Sequence, residues 1–388
     1  MNKKSTRKSI RLKRNLRARV LEGHPWAYKS EIEKLLPESH SGESVSLQDS
    51  RGRFLGSGIY NPKSQIIWRR FSTKEAAFDR TYLQKAITAS VAKRTPEACQ
   101  RLVWSEADNL PGLVVDRFED ILIVQALTMA VDRQTDAIRE ILTELLSPAD
   151  IVFRYDAPSR NYEGLDLRVY TASGNTIPSR WVKIDGLEYK LDLVEGQKTG
   201  FYLDQREQHR RIAKLAQGKT MLDGFCHLGG FGLQAMKSSA KSVLSVDISK
   251  DATAAVVENA KKNQLNIDVE TANLFDWLRE YENRKFDLIV LDPPSFARNK
   301  KAIDGALRGY KELNLRALKM LNPGGILATY SCSQAIDAAA FTNVVRSAAA
   351  DAHRPCTIME HTAQPADHPM SLTMPESWYL KGLILRVE

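Results

Sequence analysis

Met221-Leu222-Asp223-Gly224-Phe225-Cys226-His227-Leu228-Gly229-Gly230-Phe231-Gly232 is the stretch on which the fold turns. Its first half, Met221–Phe225, reads as a buried strand, and its second half is a glycine-rich turn. Glycine permits positive φ and lets backbone approach a ligand closely. Downstream, strand candidates Ser242–Val246, Asp268–Ala272, Leu288–Leu291 and Ile326–Tyr330 alternate with helical segments such as Ala252–Gln264 and Gly309–Leu321. Regular alternation of this kind predicts an α/β fold with a parallel, doubly wound sheet from about Leu187 onward. Ligands of such sheets sit beyond the carboxyl ends of the strands, where the strand order reverses.

Three strand ends in succession carry polar groups. The first leads into Gly229-Gly230-Phe231-Gly232. The second ends in Val246-Asp247-Ile248, about twenty residues past the glycine turn, where an acid can bond ribose hydroxyls. The third ends in Ala272-Asn273-Leu274-Phe275-Asp276, within reach of an adenine. The turn is not the GxGxxG dinucleotide fingerprint, and no Walker lysine follows it. A cofactor with a ribose and an adenine but no phosphate fits better than NAD. S-adenosylmethionine is such a cofactor.

Two further strand ends carry chemistry. Leu291-Asp292-Pro293-Pro294-Ser295-Phe296 follows an apolar strand, and two prolines cannot continue a ladder, so the chain turns there. A capping Asp at a stop signal is the plain alternative. The functional reading is a rigid turn that offers the Asp292 carboxylate to the edge of a planar base and Phe296 for stacking. Strand Ile326–Tyr330 ends in Ser331-Cys332-Ser333. A lone cysteine is usually a buried structural residue. If this strand neighbours the Asp292 strand, however, the two ends lie roughly 5 Å apart. Pyrimidine C5 is a poor nucleophile until a thiolate adds at C6, and Cys supplies thiolate near neutral pH.

The N-terminal half is organised differently. Residues 1–75 read as short strands and turns, and residues 76–185 as mixed α and β, with a helix near Phe78–Lys93, another over Val131–Leu146, and a linker at Ser173–Pro178. Residues 1–19 hold nine Lys or Arg and no acid, which equals the net charge of +9 for the whole chain. A basic arm attracts polyanions, so RNA contact is expected from Arg7, Lys8, Arg11, Lys13, Arg14, Arg17 and Arg19. The plain alternative is a solvated, partly disordered tail. Phe296, Arg298 and Lys300 extend the expected RNA contacts past the Asp292 turn. The four cysteines have no paired spacing, which excludes a disulfide framework or zinc motif and fits a reducing cytoplasm. No apolar run is long enough to span a membrane, and the basic N-terminus is not followed by the apolar stretch of a secretory signal, with a transit peptide as the minor alternative. No metal is expected.

Together these motifs resemble the bacterial large-subunit ribosomal RNA cytosine-5 methyltransferases, which join an N-terminal PUA domain, a central EEHEE domain and a Rossmann-like methyltransferase domain. Gly23-His24-Pro25-Trp26 and Gly56-Ser57-Gly58-Ile59-Tyr60-Asn61-Pro62 look like the PUA part. Thr199 to Arg206 looks like the lead-in to the cofactor domain, and Asp367-His368-Pro369 with Tyr379-Leu380-Lys381-Gly382 like its C-terminal hairpin. The resemblance implies domains at 1–75, 76–185 and 186–388. It implies S-adenosylmethionine contacts from Phe201, Arg206, Asp223, Phe225, Gly229, Gly230, Asp247, Asn273, Leu274, Asp292 and Pro293. It implies Cys332 as nucleophile with Asp292 beside it, and large-subunit ribosomal RNA as partner. Asn273 stands where an acid is usual, Glu207-Gln208-His209 departs from the family pattern, and Cys226 is a second thiol that reads as packing.

Three alternatives stay open at this stage: methylation of a guanine, of uracil C5, or a non-catalytic RNA-binding protein on a methyltransferase fold. Oligomeric state is also open, with a homodimer as one candidate. His368 is a candidate for removing the C5 proton, although a loop histidine is more often a surface residue.

Overall fold

The computed structural model describes residues 8–297 and 302–388, so the expected RNA contacts Arg7, Arg298 and Lys300 lie outside the described residues. The chain forms two compact units: Met1–Ser179 with Asp192–Gly200 and Ala366–Ser377, and Arg180–Leu191 with Phe201–Pro365 and Trp378–Glu388.

The first unit holds two five-stranded sheets. In one, the strands run in the order Ser9–Arg11, Ser44–Gln48, Phe54–Tyr60, Ile66–Ser72, Trp26–Tyr28. Ser9–Arg11 pairs in parallel with Ser44–Gln48. Ile10, Leu12, Ala18 and Val20 enter a core with Val45, Leu47, Tyr60 and Trp68. The alternation of apolar and charged residues therefore wins over the charge run. From Lys8 onward the basic segment is folded, not a disordered tail, and Arg11, Lys13, Arg14 and Arg17 are exposed. In the other sheet, Leu113–Phe118, Ile121–Ala126, helix Thr135–Leu146, Asp150–Tyr155 and Arg168–Thr171 follow one another in the order strand, strand, helix, strand, strand. Cys99–Trp104 is added at one edge, and helix Arg80–Ala92 packs on the same core.

The second unit is the expected doubly wound sheet. Its strands in chain order are β1 (Thr220–Gly224), β2 (Ser242–Asp247), β3 (Asp268–Thr271), β4 (Phe286–Leu291), β5 (Leu321–Ser331), β6 (Cys356–Ala363) and β7 (Lys381–Val387). Their order across the sheet is 3-2-1-4-5-7-6. Strands β1 to β5 are parallel, and β7 inserts antiparallel between β5 and β6. The order reverses between β1 and β4, which marks that edge as the ligand side. Strand β5 begins earlier than the sequence pattern suggests. Leu321 already pairs with Phe286, after which the pairing jumps to Leu288 with Ile326. Asn322-Pro323-Gly324-Gly325 loops out between the two, and its Pro and Gly residues hide the strand start from a sequence reading.

The hairpin Arg180–Ile184 with Leu187–Leu191 was not anticipated. Its turn is Asp185-Gly186, both at positive φ (52° and 78°), a short-range hairpin signal that was present in the sequence. Among the described residues, no helix is long and apolar enough to cross a membrane, and no group of three or more His, Cys, Asp or Glu side chains could hold a metal ion.

One ion pair ties the basic segment down within the first unit. Arg19 donates both terminal nitrogens to Glu376, at 2.7 and 2.9 Å, and the His24 ring lies 3.1 Å from the same carboxylate. Burial alone would raise the Glu376 carboxyl, but Arg19 and His24 outweigh it and hold it down at about 2. A depressed folded-state value gives stability that is complete above the unfolded value and lost as pH falls through the folded one. The expected outcome is that Glu376→Gln melts below wild type at pH 5, that the gap narrows as pH falls below about 4.5, and that it closes only below about pH 2. Thermal melts across that range check it, and a gap independent of pH would contradict it.

Candidate functional site

The site is built from the carboxyl edge of the sheet in the second unit. Gly224, the last residue of β1, lies between Val246 of β2 and Leu291 of β4. Phe225, Asp247 and Asp292 therefore leave the sheet side by side. Leu291 in turn lies opposite Thr329 of β5. Strand β5 runs two residues further and delivers Cys332 next to the Asp292 turn, as adjacency of the two strands requires.

The glycine turn is strained, and tertiary packing holds it. Phe225 and His227 both sit at positive φ (64° and 48°), as does Gly229 at 83°. The Phe225 N–H bonds the Val246 carbonyl at 2.9 Å and the Gly229 N–H bonds the Cys226 carbonyl at 2.7 Å. The space beside Gly230 is taken by the protein: a Cβ there would lie 2.4 Å from Cε1 of His209. Gly232 is likewise hemmed in by Ser245 and Asp223. His209 is thus the residue that requires Gly230. It is buried edge-on between Phe201 and Phe231, with ring centroids 5.8 and 4.5 Å away, and burial pushes its imidazole down to about 3.

Three carboxylates line this edge. Asp223 is fully buried; its Oδ2 accepts from Gly232 N–H at 2.9 Å, while its Oδ1 accepts from none of the described residues. Burial, with Asp292 and Asp247 adding like charge, pushes it up to about 7 against the pull of the Gly232 bond. Asp247 accepts from His227 N–H at 3.0 Å and Ser249 N–H at 2.9 Å, which staples the end of β2 to the glycine turn. Asp292 accepts from the Gln205 side-chain amide at 2.9 Å. Asn273 is exposed at the end of β3, where its side-chain oxygen caps helix Leu274–Glu280 by accepting from Phe275 N–H at 3.0 Å.

The turn around Cys332 is pinned on both sides. The Tyr310 hydroxyl, on helix Ile303–Met320, lies 2.9 Å from Ser331 Oγ and 3.0 Å from Ser333 Oγ, and Ser333 Oγ is 3.1 Å from Ser295 Oγ. Cys332 is half-buried, whereas Cys226 is buried and burial pushes its thiol far above the ordinary range. The Tyr202 ring is packed edge-on against His227 at 4.7 Å. Burial raises its hydroxyl, and the charges of Asp292, Asp204, Cys332 and Asp247 raise it further. The Tyr202 hydroxyl therefore lies in the field of charge at the Asp292 and Cys332 positions.

The other expected site residues are placed as follows. Phe201 is core, packed on Tyr189 at 5.0 Å. Arg206 is buried and donates to Asp185 at 2.6 and 3.3 Å, and Arg210 joins the same carboxylate. Leu274 is core and fills the space beside Gly224, and Pro293 is buried. Phe296 packs against Tyr310 at 4.8 Å and Phe275 at 5.9 Å. In the first unit, Lys8 pairs with Glu43, Arg11 reaches Gln48 at 3.4 Å and Lys13 bonds the Ser30 carbonyl at 2.7 Å, while Arg14 and Arg17 are exposed. His368 is not a surface residue. It is 1% exposed, its Nδ1 lies 2.8 Å from Asp367, and Trp104 covers its ring. Sequence reading missed Tyr202, Gln205 and Tyr310, none of which sits in a motif at a strand end.

S-adenosylmethionine suits this donor set. The buried Asp223 Oδ1, which accepts from none of the described residues, suits a cation such as an α-ammonium. Asp247 retains lone pairs for a diol, and among the described residues no lysine at this edge is arranged for phosphates. Asp223, Asp247 and Asn273 are the residues that would hold it.

Comparisons with known proteins give the family and the fold. Residues 10–73 match the PUA-like domain family, and residues 103–373 match the S-adenosylmethionine-dependent methyltransferase family. The ribosomal RNA large subunit methyltransferase I of Photobacterium profundum is 39% identical over 382 residues, covering 94% of this chain and 96% of that one. The protein of the same name from Aliivibrio fischeri is 37% identical over 377 residues, covering 94% and 95%. Among solved structures, a methyltransferase-fold protein from Streptococcus mutans superposes with a TM-score of 0.82 at 19% identity, covering 98% of this chain and 100% of that one.

Gly230→Ala is expected to cost about 1–3 kcal/mol of stability by overpacking against His209. His209→Ala in the same chain should return part of that loss, because the two substitutions share one contact. Urea denaturation of the two single variants and the double variant checks this, and strictly additive costs would contradict it.

Proposed function

This chain belongs to the ribosomal RNA large subunit methyltransferase I family, among the S-adenosylmethionine-dependent methyltransferases, and from that premise we propose that it methylates C5 of a cytosine in large-subunit ribosomal RNA. The observation that carries the reading is the meeting of Cys332 and Asp292 at adjacent strand ends, on a turn pinned by Tyr310.

S-adenosylmethionine, when bound, supplies an electrophilic methyl group. The chain supplies the rest. The Cys332 thiolate adds to C6 of the base, forming an S–C6 bond and moving an electron pair to C5, which becomes nucleophilic toward the methyl group that the cofactor would supply on leaving as a neutral thioether. Loss of the C5 proton to solvent then leaves its electron pair to re-form the C5–C6 double bond, the S–C6 bond breaks, and the Cys332 thiolate is restored. Asp292, oriented by Gln205, holds the hydrogen-bonding edge of the base. For cytosine, either Asp292 or N3 must carry the proton of that bond as addition proceeds. A single-stranded or flipped-out pyrimidine is needed to reach the strand ends.

The reading assigns cofactor contact to Asp223, Asp247 and Asn273, and to the backbone around Gly229. It assigns RNA contact to the basic face of the PUA-like module. A cytoplasmic enzyme and a homodimer remain parts of the proposal. Because Ile10, Leu12 and Ala18 are core, removal of residues 1–19 would unfold the module, so charge substitution is the cleaner probe. Arg14 and Arg17 are the exposed pair to use.

Cys332→Ala should lower methyl transfer by on the order of 10³-fold or more while leaving cofactor affinity intact, and Cys226→Ala should keep most activity. Ribosomal RNA transcribed with 5-fluorocytidine should trap the wild type covalently, since fluorine at C5 cannot leave as a proton. Retention of near wild-type methyl transfer by Cys332→Ala would defeat the C5 chemistry.

The doubly substituted Arg14→Gln, Arg17→Gln protein should bind many RNAs more weakly and lose about 1.5 from its log–log salt slope. Filter-binding titrations from 50 to 300 mM salt, roughly the useful range, read the slope directly. An unchanged slope would remove these two residues from the RNA interface.

A further inference from the structure

Lys381 is a charged residue placed in the core with no role in the reaction as described so far. It is the first residue of β7 and lies opposite Ser331 of β5, one residue before Cys332. Only 4% of it is exposed. Its Nζ donates to the Ser333 carbonyl at 2.7 Å and to the Ile336 carbonyl at 2.6 Å. Those two carbonyls belong to the turn that begins at Cys332, so the ammonium is lodged inside the turn that presents the thiol.

A buried ammonium is costly unless it is bonded and paired. Two of its three N–H groups have carbonyls, and neutral carbonyls leave the charge itself uncompensated. Burial pulls the amine down to about 8, and the Cys332 thiolate and Asp337 act against that pull. Asp337 is already committed as the cap of helix Ala338–Asp351, accepting from Ala340 N–H at 2.7 Å. The other titratable groups that face Cys332 work in the opposite direction. Asp292 at the end of β4 is an acid, and Tyr202 and Tyr310, each raised chiefly by burial, bring no positive charge. Of these groups Lys381 is the cation.

We propose that Lys381 is the positioning residue of the nucleophile: its buried ammonium, fixed by the Ser333 and Ile336 carbonyls, holds Cys332 as a thiolate in the free enzyme. This rests on the reading of Cys332 as nucleophile and adds how the thiol is ionised next to an acid that would otherwise oppose it. An opposite charge within about 4–6 Å favours the charged form of a group, and a thiolate is the reactive form of cysteine. Lys381 acts through Cys332 and touches neither base nor methyl group.

The test reads the thiol directly. Full-length protein is alkylated with iodoacetamide from pH 5.5 to 9.5, about the working range, and each cysteine is followed by peptide mass spectrometry, with half-buried Cys356 as internal control. In the wild type, Cys332 should reach half-maximal reactivity below the ordinary thiol value of about 8.5. Lys381→Met removes the charge. Lys381→Gln removes the charge but keeps a donor for the turn carbonyls, so it separates electrostatics from stapling. Both variants should raise the Cys332 midpoint by about one to two pH units, leave Cys356 alone and keep the limiting rate at high pH. Trapping by RNA transcribed with 5-fluorocytidine should fall about tenfold at pH 6.5 in both variants, as a midpoint one unit higher requires, and recover at pH 9. A wild-type Cys332 midpoint at or above that of an ordinary thiol, or one that neither variant moves, overturns the role given to Lys381. Absence of the trapped adduct in the wild type at every pH overturns the nucleophile reading instead, and the alkylation midpoints still report on Lys381.

Discussion

Neighbouring parallel strands stand about 4.8 Å apart, and that spacing between β4 and β5 is the constraint on which the site depends. Each strand ends in a residue that chemistry can use, Asp292 on one and Cys332 on the other, and the ladder from Leu288–Ile326 to Leu291–Thr329 puts the ends in register. Everything around them maintains that register. Tyr310 bonds both serines flanking the thiol. Gln205 holds the acid. Asp287, below, accepts from Thr220 of β1 and from Asn322 in the looped-out part of β5, at 2.9 and 2.8 Å, so three strands start together as well as end together.

Charge on this edge is arranged around a cofactor that is itself cationic. Asp223, Asp247 and Asp292 sit at consecutive strand ends. Burial pushes Asp223 up to about 7, and the like charges of Asp292 and Asp247 add to that rise. A bound cation would relieve the repulsion, which gives the site a reason to prefer a sulfonium and an ammonium over a dinucleotide pyrophosphate. Cys332 stands at the far end of the row, beside Asp292. Cys226 lies behind the glycine turn, where burial keeps its thiol protonated and inert.

Motifs that lie at one strand end were legible in the sequence because the strand and its terminal residue are contiguous. The glycine turn, Asp247, the Asp292 turn and Ser331-Cys332-Ser333 are all of this kind, and the alternation of strand and helix between them was enough to give a parallel sheet. What could not be read was the partner of each residue. Gln205 lies 87 residues from Asp292, and Arg19 meets Glu376 across 357 residues. Strand β7 comes last in the sheet's chain order yet inserts next to β5, so Lys381 reaches a turn 45 to 48 residues earlier. Nothing in the sequence marks the return of Ala366–Ser377 to the first unit. The basic segment was half legible: alternation showed a strand at Ser9–Lys13, while the density of charge suggested a solvated tail, and the burial of Ile10 and Leu12 decides between them. Gly230 was read as room for a ligand, and the neighbour that fills the room, His209, lies upstream on another element.

In the proposed reaction, the thiol and the acid at these strand ends make pyrimidine C5 reactive. The most direct measurement is mass spectrometry of nucleosides from unmodified large-subunit ribosomal RNA after incubation with the protein and methyl-labelled S-adenosylmethionine. The label should be recovered in 5-methylcytidine. Label recovered in a methylguanosine, or in an N-methylated base of any kind, would contradict it.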